Sequence, residues 1–138
     1  MSRRLGRAAC LWAILALALA LSGCSADGTS NGDVTVRRAD LPFTFRVPAD
    51  FTAESVDRDN TRGDVVALRA LDKVNVIAVR RVAAGTKSRR TLRVLGQRVT
   101  SRVVSVGHGW GLECQYTEAR RDTVLDACDE ALGSVAFH

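Results

Sequence analysis

The 138-residue chain is poor in aromatic side chains, with four Phe, two Trp and one Tyr, or 5% of the sequence. Such a chain offers little of the aromatic lining common in small-molecule pockets. It has two histidines, His108 and His138. His108 stands between glycines, an ordinary turn position, and His138 is the last residue, so neither is placed as a catalytic base. No Gly-x-Ser-x-Gly elbow presents a nucleophilic serine. Gly107, Gly109 and Gly111 lead into a predicted strand rather than opening a helix, so they lack the setting of a phosphate-binding loop. Asp57, Asp59 and Asp64 do not follow the EF-hand pattern, and a solvated acidic turn accounts for them. The expectation is a protein that is not an enzyme, with no catalytic residues, no metal and no cofactor. The longest apolar run, Ala8 to Leu21, has 14 residues. That is short of the roughly 18 to 20 needed to span a bilayer as a helix.

What the N-terminus does contain is ordered. Arg3, Arg4 and Arg7 form a positive region, the apolar run follows, and Leu21-Ser22-Gly23-Cys24 closes it. This is the layout of a signal peptide. Leu-Ser-Gly-Cys resembles the lipobox of bacterial lipoprotein precursors. The resemblance implies a signal peptide over residues 1–23, cleavage between Gly23 and Cys24, and acylation of Cys24. An ordinary secretory signal with a chance cysteine, or an uncleaved anchor, is the alternative. Each buried methylene contributes about 0.8 kcal/mol, so two or three acyl chains tie the protein firmly to the outer face of the cell membrane.

Processing changes the charge. The chain has 20 Lys+Arg and 15 Asp+Glu, a net +5. Three of the basic residues lie in the leader, leaving 17 against 15, or +2. The basic precursor therefore gives no reason to expect nucleic-acid binding, which export also argues against. Cys10 leaves with the leader and Cys24 is taken by lipid. Cys114 and Cys128 remain, in an oxidising compartment where a structural disulfide is expected. A redox or metal pair is the competing reading, but the spacing matches neither Cys-x-x-Cys nor a zinc pattern.

Residues 24–33 are small and polar and read as a flexible tether, which leaves 34–138 as a single domain. Val34 to Arg38 reads as a short strand. Leu41 to Pro48 is clearer: Phe43, Phe45 and Val47 alternate with Thr44 and Arg46, the period of a half-buried strand. Phe51 extends the core beyond the second proline. The polar stretch 57–64 reads as a loop. Its Arg62-Gly63-Asp64 matches an integrin ligand, but Gly63 is better explained as a turn residue. Val65–Leu71 and Val74–Val82 read as a hairpin around Asp72-Lys73, with Leu71 facing Val74, Leu68 facing Ile77 and Val66 facing Val79. Both of its faces are apolar, which predicts a central hairpin with something packed on each side. Ser88–Val104 reads as a helix capped by Ser88, because Leu92, Leu95, Val99 and Val103 recur at three- and four-residue steps. Trp110–Thr117 reads as a strand containing Cys114. Arg120-Arg121-Asp122 reads as a turn, and Thr123–Leu125 as a return strand or the start of a helix. Cys128–Gly133 reads as a short helix ending at Gly133, and Ser134–Phe137 as a last strand. The class is α+β, an antiparallel sheet with one longer amphipathic helix and a short C-terminal one.

This order, opening on Phe-x-Phe-x-Val-Pro-x-x-Phe and closing on Ser-Val-Ala-Phe, resembles the PsbP-like α/β/α sandwich of exported LpqN-type lipoproteins. The resemblance extends over Leu41 to Phe137. It implies an envelope protein, and it does not fix an activity.

One feature exceeds the background. No acidic residue occurs between Asp72 and Glu113, while nine basic ones do: Lys73, Arg80, Arg81, Lys87, Arg89, Arg90, Arg93, Arg98 and Arg102. A solvated face kept soluble by arginine is one reading. The other is a contact face, made of Arg89, Arg90, Arg93, Arg98 and Arg102, for anionic lipid, envelope polymer or an acidic protein. The expected function is therefore a membrane-anchored, non-enzymatic interaction module. The alternative is a carrier or sensor of a small apolar ligand or lipid, which needs a cavity between helix and sheet under Leu92, Leu95 and Val99.

Overall fold

The computed structural model describes residues 32–56 and 64–138. The leader, the acylation site Cys24, Asp57, Asp59 and the first two residues of Arg62-Gly63-Asp64 lie outside the described residues.

The strands are β1 (Asp33–Val36), β2 (Phe43–Pro48), β3 (Thr52–Glu54), β4 (Val65–Ala70), β5 (Val76–Arg81), β6 (Lys87–Val94), β7 (Gln97–Gly107), β8 (Trp110–Tyr116) and β9 (Ala136–Phe137). Among the described residues there is one α-helix, α1 (Arg121–Gly133), which follows a 3-10 turn over Glu118–Arg120. The strands form two antiparallel sheets, ordered β1-β2-β9 and β3-β4-β5-β8-β7-β6. The α+β antiparallel class expected from the sequence is what the chain adopts. No helix among the described residues is long and apolar enough to cross a membrane.

The core lies on one face of the larger sheet. β8 turns Trp110, Leu112, Cys114 and Tyr116 to this side, and β5 adds Ile77 and Val79. The covering layer is β2 and α1. Phe43, Phe45 and Val47 of β2 are all buried, as strand alternation predicts. Val124, Ala127, Cys128 and Ala131 recur on α1 at helical spacing and form its buried stripe. Cys114 on β8 and Cys128 on α1 are joined by a disulfide, with Cα atoms 6.1 Å apart. The helix is longer than Cys128–Gly133: the supposed turn at Arg121-Asp122 is its first turn, where Asp122 suits the positive end of the helix dipole.

Two further expectations are corrected. The β4–β5 hairpin exists, but its register is shifted by one: Ala70 faces Val76, Leu68 faces Ala78 and Ala67 faces Val79. The loop is longer because Asp72 organises it. Its Oδ1 accepts from the backbone N–H groups of Val74 and Asn75, each at 2.8 Å. Burial pushes the Asp72 carboxyl up, but the N–H groups of Asn75 and Val74 and the Asn75 side chain outweigh it and hold it below the usual range.

The second correction is larger. Ser88–Val104 is not a helix but two strands, β6 and β7, joined at Leu95-Gly96. The physical reason is composition and turn chemistry. Thr91, Val94, Val99, Thr100, Val103 and Val104 are β-branched and favour a pleated surface. Val99, Ser101 and Val103 alternate as buried residues along β7. Both turn residues have positive φ, 49° at Leu95 and 77° at Gly96, the requirement of a two-residue hairpin turn. Leu92, Val99 and Val103 do share a face, but it is a face of the hairpin, where Leu92 pairs with Val99.

Candidate interaction surface and groove

Strand register decides where each arginine goes. Across the β6–β7 hairpin, Arg89 stands opposite Arg102 and Arg93 opposite Arg98, with the Thr91–Thr100 pair between them. Side chains alternate along a strand, so these four arginines share one face. Arg90 falls on the other, opposite Ser101. The sequence grouped all five as one surface; the structure brings four together and removes Arg90.

Two directly opposed Arg–Arg pairs work against the hairpin, since like charges facing each other across strands are destabilising. Their neutralisation is sparse. Arg102 reaches Asp129 of α1 at 3.4 Å. Arg93 donates to the Gly96 carbonyl at 3.3 Å. Among the described residues Arg89 and Arg98 have no carboxylate partner. Exposed Arg89 and Arg93 lie on an edge strand, where charge also discourages pairing with another chain. The helix itself, on the same side of the sheet, is acidic by contrast, with Asp122, Asp126, Asp129 and Glu130 on α1. There a hydrogen bond with Asp33, added to slight desolvation and to the Asp33 charge, raises the Glu130 carboxyl above its usual range.

The second face of the larger sheet holds what sequence reasoning missed. Glu113 is 1% exposed in the middle of β8. Its Oε2 accepts from Arg80 Nη1 at 2.7 Å, and its Oε1 accepts from the Ser101 hydroxyl at 2.5 Å. Arg80 also reaches Asp64 at 3.4 Å. Gln115, two residues on, is buried and donates to the Val74 carbonyl at 2.8 Å. The available signal was an acidic residue within an apolar strand, alternating with Leu112 and Cys114, on the face shared by Arg80.

These polar groups are buried because the sheet curls. Val65 of β4 and Val94 of β6 belong to strands four places apart, which a flat sheet would separate by roughly 19 Å. Instead they line one groove of about 350 Å³, together with Leu68, Val76, Ala78 and Glu113. The cavity expected between helix and sheet is not where the open space lies. The space between helix and sheet is filled by the core, and Leu95 and Val99 do not lie beneath a helix. The groove is on the opposite face, which no helix among the described residues covers. The β4–β5 hairpin is thus covered on one face by β2 and α1 and on the other by the curl of its own sheet, where Ala70 and Ala78 are buried.

His108 adopts a positive φ of 55° in the β7–β8 turn, and its ring contacts Phe137 at 4.7 Å. It is an exposed turn residue with one ring contact. Arg81 lies 3.8 Å above the Trp110 ring.

The geometry is that of an antiparallel α+β sandwich with a curled sheet and a basic hairpin. No protein-family profile matches the sequence, and no curated protein matches it. Among solved structures the chain is similar to cyanobacterial PsbP (CyanoP) from Synechocystis sp. PCC 6803. The two share 10% identity over 78% of this chain and 94% of that one, with a TM-score of 0.46. The likeness concerns backbone arrangement alone.

Proposed function

We propose that this chain is an exported lipoprotein whose domain is a non-enzymatic interaction module, contacting an anionic partner through the arginine face of the β6–β7 hairpin. The observation that carries the reading is the pairing of Arg89 with Arg102 and of Arg93 with Arg98. An arrangement that opposes folding, and that among the described residues only Asp129 partly neutralises, is relieved when an anionic surface covers it. The Leu-Ser-Gly-Cys box supports the anchor at Cys24.

Charge reversal tests the contact face. The double variant Arg89→Glu/Arg98→Glu of the full chain, cross-linked in isolated envelopes, should recover its partner at least tenfold less than the parent. Its unfolding midpoint should not fall, because the reversal relieves both like-charge pairs. Undiminished recovery overturns the reading.

The groove supports a second reading, a carrier or sensor of a small ligand with an apolar body. Its volume of about 350 Å³ and its Leu68, Val76, Ala78 and Val94 lining suit such a molecule. Mass spectrometry finding the purified chain free of any bound lipid would remove it.

A further inference from the structure

Three large apolar side chains are exposed among the described residues: Val34 at 37%, Phe137 at 38% and Leu95 at 71%. Leu95 is by far the most exposed, and it sits at the tip of the β6–β7 hairpin. It also occupies left-handed backbone, with φ 49°, where asparagine or glycine is the ordinary choice. A leucine there meets two penalties together, backbone strain and an apolar side chain in water. Strain of this kind is a feature of functional sites. The flanking residues complete the pattern: Arg93 and Arg98 face each other one pair below the turn, and Arg89 and Arg102 follow on the same face.

We propose that this tip docks on an anionic lipid surface. Leu95 enters the interface between headgroups, and Arg93 and Arg98 sit on the phosphates on either side of it. An apolar point with cations along one face matches the layering of a bilayer, apolar within and anionic at its surface. Arginine suits the outer positions because its guanidinium forks bidentately onto phosphate and its aliphatic stem tolerates the apolar boundary. An acidic protein would use the arginines but would give Leu95 no reason to stand out in water. Leu95 also borders a separate depression lined by Glu54, Asp72 and Lys73 with Leu68 and Val76 of the groove face, so the hairpin meets the surface by its arginine side. The proposal rests on the reading of the hairpin as the contact face and names what it contacts.

The variant Leu95→Trp in the full chain reports on the tip itself, independently of any contribution from the N-terminus. It is mixed with vesicles of phosphatidylglycerol and phosphatidylcholine, or of phosphatidylcholine alone, each with brominated acyl chains. Fluorescence of variant minus parent should be quenched at least twofold in the anionic vesicles and little in the neutral ones. Adding Arg93→Glu and Arg98→Glu should abolish the quenching, and the milder Arg98→Gln should halve it. An indole at position 95 that stays unquenched in anionic vesicles overturns lipid docking. If envelope partner recovery then still depends on Arg89 and Arg98, the face belongs to an acidic protein and the module reading stands. Equal quenching in neutral vesicles also overturns the proposal, because the arginines would then play no part.

Discussion

Glu113 shows what one residue does when its strand is buried on both sides. Moving a carboxylate out of water is expensive, and the penalty is offset only where partners are close and well oriented. Arg80 and Ser101 supply such partners at 2.7 Å and 2.5 Å. The network joins β5, β8 and β7 across the face that the curl of the sheet closes into a groove. Removing one member leaves the other charge buried, which costs more than the pair is worth. Glu113→Leu should therefore destabilise the domain by about 3 to 5 kcal/mol. Adding Arg80→Met should recover most of that loss, since an apolar pair carries no desolvation penalty. Urea unfolding of the parent, both single variants and the double variant gives the coupling directly. Additive effects would show that the ion pair does not govern this face.

At the scale of elements, the β6–β7 hairpin is both the surface of interest and the part hardest to read in advance. Leu95→Asn should stabilise it by about 1 to 2 kcal/mol, because asparagine tolerates left-handed backbone and leucine does not. A thermal melt with no upward shift would show that Leu95 is not strained. If Leu95 serves docking, the more stable variant loses vesicle binding, a trade of function against stability. The same residue explains the misreading. A two-residue hairpin turn announces itself by Asn-Gly or Asp-Gly, and here the turn is Leu95-Gly96. Leucine also completed a spurious helical stripe with Leu92, Val99 and Val103. By contrast β2 and β8 were legible, because Phe43, Phe45 and Val47 alternate cleanly and because Cys114 lies inside a continuous run from Trp110. The β4–β5 hairpin was legible as an element and illegible in register, since the Asp72 side chain, not the backbone pattern, sets the loop. Of the site, the arginines were visible as a charge run. Their faces were not, because face assignment depends on whether side chains repeat every two residues or every 3.6.

Across the whole molecule, the strands of the curled sheet bond to one another, whereas α1 is held by side-chain packing, one covalent link and the surface contacts of Asp129 with Arg102 and of Glu130 with Asp33. The disulfide joins residues 14 apart in sequence, from the centre of β8 to the middle of α1. Closing a loop of that size restricts the unfolded chain and contributes roughly 3 kcal/mol. On the buried stripe of α1 only Val124 is larger than Ala127, Ala131 and Cys128, and Leu125 and Leu132 are only partly buried against the core. The link is thus a large share of what keeps α1 on β2 and β8. Cys114→Ala/Cys128→Ala should lower the melting midpoint by about 12 °C or more, given some 4 °C or more per kcal/mol for a domain near 100 residues. Amide exchange should rise first in α1 and least in β5 and β8, where strands bond on both sides. Vesicle docking should survive below the new midpoint, because neither cysteine touches the hairpin tip. If α1 keeps its protection in the double variant while the sheet loses its own, the helix is anchored by packing alone and the division of labour between layer and link is the reverse of this one.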